Sequence, residues 1–280
     1  MDLSKLILNS KSRQQIENYL AQPTHALLLT GKNGIGLDST AKAIAKQLAD
    51  NQVIIIQPRL HDKQKTLSIN INDIHALIDL TRSRRKDKLA IVIENIESMT
   101  NDAPQAFLKL LEEPTVNIFY ILSSHSVARL PQTILSRVQN IELLPVPESD
   151  LDVLFENSVM RLAKDRRTRI LFLAAGLPAE TLRLIQDEQY YRERVSLFEQ
   201  AKLFVQGKEY DRLKITSEIK DRKTAVDLLY SISRIVAMTA PKSKSPLATA
   251  QQLQILGQAI DNLNQNGNVR AQLVSIALNL

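Results

Sequence analysis

Five short runs in the first half of the chain constrain its fold more than any other feature. Each has five or six residues, and most are apolar at successive positions, as expected of strands that helices cover on both faces. Stretches with helical spacing separate the runs, and parallel strands require such long connections. The runs are residues 26–30, 53–57, 89–93, 118–123 and 139–143. The pattern predicts an α/β domain built on a parallel sheet.

Apolar residues at three- and four-residue spacing predict the helices of the chain. In the first half these are residues 39–50, 71–81 and 101–112. After Pro147 the strand pattern stops, and helical segments are separated at residues 176–178, 207, 240–246 and 264–268. Three domains are therefore predicted: α/β at 1–145, small and helical at 146–207, and helical again at 208–280. Apolar stripes in the last domain favour packing of a helical bundle over a dedicated partner groove.

A glycine-rich turn joins the first predicted strand to the helix that follows. Gly31, Gly34 and Gly36 lie within six residues of one another. A phosphate-binding loop (P-loop) has this arrangement, because glycines let backbone amides surround phosphates at a helix N-terminus while a lysine and a Ser/Thr neutralise charge and hold magnesium. Here the lysine and Ser/Thr positions hold Leu37 and Asp38. The loop geometry is retained without its chemistry.

This substitution disfavours nucleotide binding. A carboxylate about 4 Å from a phosphate charge would be repelled by roughly 4 kcal/mol at an effective dielectric of about 20. We expect Asp38 in the first turn of the helix, where its charge interacts favourably with the helix dipole. Lys32, inside the loop, is placed to reach a phosphate, so weak binding stays open. A glycine-rich turn unrelated to nucleotides also stays open.

Glu94 and Asn95 follow directly after the third apolar run. In a Walker B strand these positions hold an Asp that orients magnesium and a Glu that polarises the attacking water. Glutamate can reach a metal through water, but Asn95 cannot act as a general base. Together with the altered loop, this ending indicates a former nucleotide-binding domain.

Several further motifs follow in a fixed order. Residues 106–114 read AFLKLLEEP, residues 118–124 form an apolar strand ending in Ser124, and residues 130–138 read LPQTILSRV. With the loop and the Walker B strand, this order resembles AAA+ clamp-loader subunits of bacterial DNA polymerase III, of the delta-prime and gamma types. Ser124 then falls at the sensor 1 position, and Val138 replaces the cysteine of the family's serine-arginine-cysteine segment. The position of the sensor 2 arginine falls near Ala179.

The resemblance implies a three-layer AAA+ parallel-sheet core, a helical lid and a C-terminal all-α collar domain. It carries Arg137 over as an arginine finger that acts in trans on ATP and magnesium in a neighbouring subunit, an effect worth on the order of 10³ to 10⁵ in rate. A solvated or salt-bridged surface arginine is the alternative. The chain's own site is expected to be inert. The implied partners are a gamma/tau-type ATPase, a delta-type subunit and, through the complex, the sliding clamp and primed DNA.

Composition bounds these expectations. The chain has no cysteine, so neither a disulfide nor a thiolate zinc site is expected. No stretch has the apolar length of a signal peptide core or a membrane span, which predicts a cytoplasmic protein without membrane contact. The net charge of +6 combines 36 basic with 30 acidic residues, and it permits contact with a polyanion without requiring it.

Two alternative functions stay open. Lys32 and Glu94 favour an active ATPase with a divergent P-loop. Two basic clusters favour a stand-alone DNA-binding adaptor, although solvated loops are the commoner interpretation of such runs. The clusters are Arg82, Arg84, Arg85, Lys86 and Lys88, and Lys164, Arg166, Arg167 and Arg169. No aromatic residue interleaves with them, so stacking on single-stranded bases is not indicated.

Overall fold

The computed structural model describes residues 2–50, 52–61, 66–82, 86–100, 102–156, 162–240 and 245–280. The chain divides into two compact units, Met1–Gln186 and Asp187–Leu280. Two apolar clusters form the interior of the first unit, and a third forms the interior of the second. Each unit therefore has a core of its own. The finer division into three domains stays a prediction.

A five-stranded parallel sheet forms the centre of the first unit, in the order β2-β3-β4-β1-β5. Its strands are β1 Ala26–Thr30, β2 Val53–Ile56, β3 Leu89–Ile93, β4 Ile118–Ser124 and β5 Gln139–Glu142. Every residue of β1 and β3 is buried, because both strands lie inside the sheet. All five predicted strands are confirmed, with ends that differ by at most one residue.

Helices cover both faces of this sheet. The first unit contains α1 Ser10–Ala21, α2 Leu37–Leu48, α3 Ile71–Thr81, α4 Ala103–Glu112, α5 Gln132–Leu135, α6 Asp152–Glu156, α7 Lys164–Ala174 and α8 Pro178–Gln186. Successive strand residues point to opposite faces. Leu28 accordingly packs with α3 and α4, and Leu29 packs with α1 and α2. The predicted three-layer α/β core is confirmed.

Local signals explain where these helices begin. Asn70 and Asp73 form a capping box, so α3 starts at Ile71 as predicted. The predicted start of α2 at Ser39 is two residues late, because Gly36 adopts a left-handed conformation and lets the helix begin directly at Leu37. The predicted start of α4 at Asn101 lies outside the described residues, and the observed helix begins at Ala103.

The second unit is helical. It contains α9 Glu188–Gln206, α10 Glu209–Glu218, α11 Arg222–Thr239, α12 Pro246–Asn264 and α13 Val269–Asn279. Most residues of the predicted apolar stripes of α11 and α12 are buried, among them Leu228, Ile232, Leu256 and Ile260, and Ile235 and Leu253 are partly buried against the same cluster. The stripes therefore pack the interior of a helical bundle.

No described helix of either unit combines the length and the apolar character that a membrane span needs.

Candidate functional site

Residues 31–36 form the glycine-rich loop between β1 and α2. Gly34 and Gly36 have φ angles of +87° and +98°, in the left-handed region that favours glycine. A Cβ atom on Gly34 would lie 2.8 Å from the Cβ of Glu180 in α8. Gly34 is therefore required both by the backbone conformation and by the close approach of α8.

The position at which a phosphate-binding loop carries its lysine faces the protein core here. Leu37 is 2% exposed, and Ile35 beside it is 3% exposed. Both belong to the apolar cluster of α1 and α2. Lys32 is exposed at the tip of the loop, and its backbone carbonyl accepts a hydrogen bond from the Ile35 amide at 3.1 Å. The lysine of this loop, Lys32, therefore does not lie at the position where a phosphate-binding loop carries its lysine.

Asp38 lies in the first turn of α2 and accepts a hydrogen bond from within the chain. The Ser123 hydroxyl donates to Asp38 Oδ1 at 2.8 Å. The Asn95 amide donates in turn to Ser123 Oγ at 3.2 Å. The helix after the loop, the end of β3 and the end of β4 are thus joined by one hydrogen-bonded chain.

Ser123 contacts Asp38, whereas Ser124, the residue predicted at the sensor 1 position, accepts a hydrogen bond from the Ser126 amide at 3.1 Å. Both serines are fully buried. Neighbouring strand residues point to opposite faces, so only one of a Ser-Ser pair can face α2. The pair itself was the available sequence signal, but the face of each serine depends on the register of β4.

Glu94 is 5% exposed at the end of β3, and its carboxylate is held on both oxygens. Lys42 Nζ lies 2.7 Å from Oε1, and Gln57 Nε2 donates to Oε2 at 2.7 Å. Lys42 follows Asp38 by four residues, so both side chains lie on one face of α2. Lys42 and Gln57 were not predicted as site residues, although the four-residue spacing from Asp38 could have identified Lys42.

Both acidic residues of the site thus have partners within the chain: Asp38 accepts a hydrogen bond on Oδ1, and Glu94 is paired with Lys42 through Oε1 and accepts a hydrogen bond on Oε2. Asp38 and Glu94 bring two negative charges, and Lys42 brings one positive charge. In the described parts of the chain, no group of three or more His, Asp or Glu side chains is placed to hold a metal ion.

The first turn of α8 lies against the glycine-rich loop. The Glu180 amide donates to the Gly34 carbonyl at 3.0 Å. A Cβ atom on Gly36 would lie 4.0 Å from the Cβ of Ala179, the residue predicted near the sensor 2 position. An apolar methyl group and a backbone amide thus face the loop from α8 at these two points.

His125 joins the end of β4 to the loop. Its backbone amide donates to Glu97 Oε1 at 2.9 Å, and its Nδ1 lies 3.1 Å from the Gly31 carbonyl. A carbonyl oxygen only accepts, so Nδ1 carries the proton in this contact. These two contacts join the end of β4 to the glycine-rich loop and to Glu97.

Arg137 follows α5 and binds three acceptors of its own chain. Its NH2 lies 2.8 Å from Glu112 Oε1, and its NH1 donates to the Thr133 carbonyl at 3.0 Å and to Ser136 Oγ at 3.1 Å. The side chain is still 37% exposed, and that of Glu112 is 49% exposed. The guanidinium therefore lies at the surface, between the C-terminal ends of α4 and α5.

The basic clusters are only partly described. Arg84 and Arg85 lie outside the described residues. Arg82 pairs with Asp79 at 3.3 Å. In the second cluster, Arg167 lies 2.6 Å from Asp152 and also packs over the ring of Phe155. At least this member of the second cluster makes intrachain contacts rather than standing free in solvent.

Residues 9–147 match the family model described as DNA polymerase III, delta subunit. The delta' subunit of DNA polymerase III from Haemophilus influenzae is 25% identical over 200 residues, which are 64% of this chain and 60% of the relative. The Bacillus subtilis delta' subunit is 27% identical, covering 69% of this chain and 61% of the relative. A gamma subunit from Buchnera aphidicola is 28% identical over 45% of this chain and 40% of the relative. The matches thus span less than two thirds of these relatives.

Two solved structures share the fold. A DNA polymerase III gamma subunit-related protein from Thermotoga maritima has a TM-score of 0.52 at 17% identity, covering 95% of this chain and 97% of that one. The RuvB Holliday junction branch migration motor of Thermotoga maritima has a TM-score of 0.52 at 15% identity, covering 66% and 63%. At these identities the likeness concerns the fold alone, and it supports the expected AAA+ architecture.

Proposed function

Because the chain belongs to the family of DNA polymerase III clamp-loader subunits, we propose that it is a non-hydrolysing member, similar to delta-prime, that serves as a stator. In this role it supplies Arg137 to the ATP bound by a neighbouring gamma/tau-type subunit. Together with a delta-type subunit, the assembly opens the sliding clamp and places it on primed DNA during replication.

The ion pair between Lys42 and Glu94 carries this proposal. Glu94 stands where a magnesium-orienting carboxylate would stand, and Lys42 and Gln57 already occupy its two oxygens at 2.7 Å. A magnesium nucleotide would have to displace both groups from a residue that is 5% exposed. Water would not compensate a charge left unpaired at that depth. The donor set therefore fits an internally paired site rather than bound magnesium.

The surroundings of the loop support the same conclusion. The side chain at the lysine position, Leu37, is buried in the core, and Asp38 places a carboxylate beside the loop. Repulsion between a carboxylate and a phosphate is worth several kcal/mol at about 4 Å. Ala179 offers no charge where a sensor 2 arginine would contact phosphate. The proposal accordingly assigns neither ATP nor magnesium to this chain.

The exposure of Arg137 supports the trans-acting role. Its guanidinium has a side-chain exposure of 37% and lies at the end of α5, within the segment that resembles the family's arginine motif. A planar guanidinium can bind phosphate oxygens with two parallel hydrogen bonds. Charge developing on the phosphate during transfer is stabilised by such a group.

The alternative of an active ATPase has less support. Lys32 and Glu94 are the two residues that favour it. Glu94 is paired with Lys42, so the exposed Lys32 is the one that remains in support of an active ATPase. The DNA-binding adaptor rests on the basic clusters, and Arg167 of the second cluster already pairs with Asp152. Salt-sensitive DNA binding by the isolated chain, without affinity for loader subunits, would favour the adaptor.

The test is titration of the full chain with a fluorescent ATP analogue and magnesium, alone and with the ATPase subunit of the same loader. No binding is expected alone, and the mixture should hydrolyse ATP. Arg137→Ala should lower turnover at the adjoining site on the order of 10³-fold or more. The matched control is Arg129→Ala, which removes another exposed arginine near α5. Unchanged turnover with Arg137→Ala, or turnover by the isolated chain, would refute the proposal.

A further inference from the structure

Arg137 is not free in this chain, since Glu112 holds it. Glu112 Oε1 and Arg137 NH2 are 2.8 Å apart, and the other terminal nitrogen, NH1, donates to the Thr133 carbonyl in α5 and to Oγ of Ser136, the residue that follows α5. Both terminal nitrogens of the guanidinium therefore have acceptors within the chain. A phosphate approaching this guanidinium has to compete with these acceptors, of which the Glu112 carboxylate is the charged one.

Glu112 stands at a position where a carboxylate does not help its own helix. It is the last residue of α4, where the C-terminal end of the helix dipole is negative. A negative side chain there is unfavourable for the helix, and Pro114 ends any continuation. The structure pairs the Glu112 carboxylate with Arg137, so the carboxylate holds that guanidinium in place.

We propose that Glu112 is a restraining residue for Arg137: it holds the guanidinium in the free chain and releases it to phosphate in the neighbouring subunit. This inference rests on the proposed trans-acting role of Arg137. Exchange is physically feasible, because both side chains are more than a third exposed and water screens their attraction. A phosphate group also offers three strong acceptor oxygens, where Glu112 offers two.

The size of the effect follows from the exposure of the pair. Exposed ion pairs change an equilibrium by up to about fivefold, which is about 1 kcal/mol at 1.4 kcal/mol per factor of ten. Removing the Glu112 charge should therefore shift the equilibrium between the held and the released Arg137 side chain about two- to fivefold toward the released form. The neighbouring residue Glu113 is also exposed, and no ion pair with Arg137 is found for it among the described residues. Glu113→Gln is therefore the matched control.

The first measurement uses the full chain alone. Phenylglyoxal modifies arginine side chains, and mass spectrometry of the peptide with Arg137 gives its rate of modification. Glu112→Gln should raise this rate about two- to fivefold, Glu113→Gln should leave it unchanged, and Glu112→Asp should give an intermediate rate. Equal rates in the wild type and in Glu112→Gln would overturn the restraint. Circular dichroism of each variant establishes that the fold is retained.

The second measurement adds the ATPase subunit. Glu112→Gln should lower the concentration of this chain needed for half-maximal stimulation of ATP hydrolysis by about two- to fivefold, at an unchanged maximum. The effect should vanish in Arg137→Ala. If Arg137→Ala lowers turnover while Glu112→Gln weakens stimulation or leaves it unchanged, the restraint is wrong and the proposed function stands. If Arg137→Ala has no effect although Glu112→Gln raises phenylglyoxal reactivity, the restraint exists and the trans-acting role is wrong.

Discussion

Replacing Lys42 with methionine should destabilise the first unit, because Glu94 would lose the positive charge that balances it. Methionine has a similar length and flexibility, and its helix propensity is close to that of lysine. The substitution therefore removes the ammonium group with little change in α2. Glu94, which is 5% exposed, would keep one hydrogen bond, from Gln57.

The stability lost with Lys42→Met should lie between the values for breaking a buried and an exposed ion pair. Removing one partner of a fully buried pair costs about 3–5 kcal/mol, and exposed pairs contribute up to about 1 kcal/mol. The side chain of Lys42 is 37% exposed and that of Glu94 is 6% exposed, so water screens one end only. A loss of about 1–3 kcal/mol in the free energy of unfolding is expected.

The assay is urea denaturation followed by circular dichroism, since the chain has no tryptophan for fluorescence. Hydrogen exchange of peptides from α2 and β3 would report on the first unit separately from the second. Lys46→Met is the matched control, because it removes an exposed lysine of the same helix. A double-mutant cycle with Glu94→Gln should give a coupling of at least about 1 kcal/mol, because the neutral amide introduced by that substitution no longer needs the ammonium.

Two results would refute this reasoning. One is a Lys42→Met variant that matches Lys46→Met within about 0.5 kcal/mol, the usual range for surface substitutions. The other is additivity of the Lys42 and Glu94 effects, which would mean that the two side chains do not interact energetically. Either result would also remove the observation on which the proposal of an internally paired site depends.

Two further predictions concern glycine and tyrosine positions. Gly34→Ala should lower the free energy of unfolding by about 1–3 kcal/mol, because the φ of Gly34 is +87° and an added Cβ would lie 2.8 Å from the Cβ of Glu180. Gly257 lies within α12, and an added Cβ there would meet nothing within 4 Å, so Gly257→Ala should raise the free energy of unfolding by about 0.5–1 kcal/mol. Equal urea midpoints for the two variants would contradict this. Burial raises the pKa of Tyr120 to about 12. The unfolded value is about 10, so stability should fall as pH rises from about 10 to 12, and Tyr120→Phe should reduce that slope. An unchanged slope would contradict the prediction.

Local sequence signals were sufficient for most elements of the first unit. The strands were predictable because buried parallel strands carry apolar residues on both faces. The start of α3 was predictable because Asn70 and Asp73 form a capping box within four residues. The start of α2 was misplaced because the left-handed conformation of Gly36 follows from the path of the whole loop, not from its neighbours alone.

The candidate site was only half predictable. The frame of the glycine-rich loop identified Leu37 and Asp38, and the end of the third strand identified Glu94. The contacts that balance these groups were missed. The hydrogen bond from Ser123 to Asp38 joins residues 85 positions apart, and that from Gln57 to Glu94 joins residues 37 positions apart.

The sequence by itself therefore determined the elements of this protein and the loss of the P-loop lysine, because helix and strand periods, caps and motif frames are encoded over a few residues. Only the tertiary structure decided that Lys42 pairs with Glu94, that Ser123 rather than Ser124 contacts Asp38, and that Glu112 holds Arg137. These contacts depend on the order of the strands and on the face to which each residue points. Neither follows from local periodicity, because strand order is set by packing of the whole sheet.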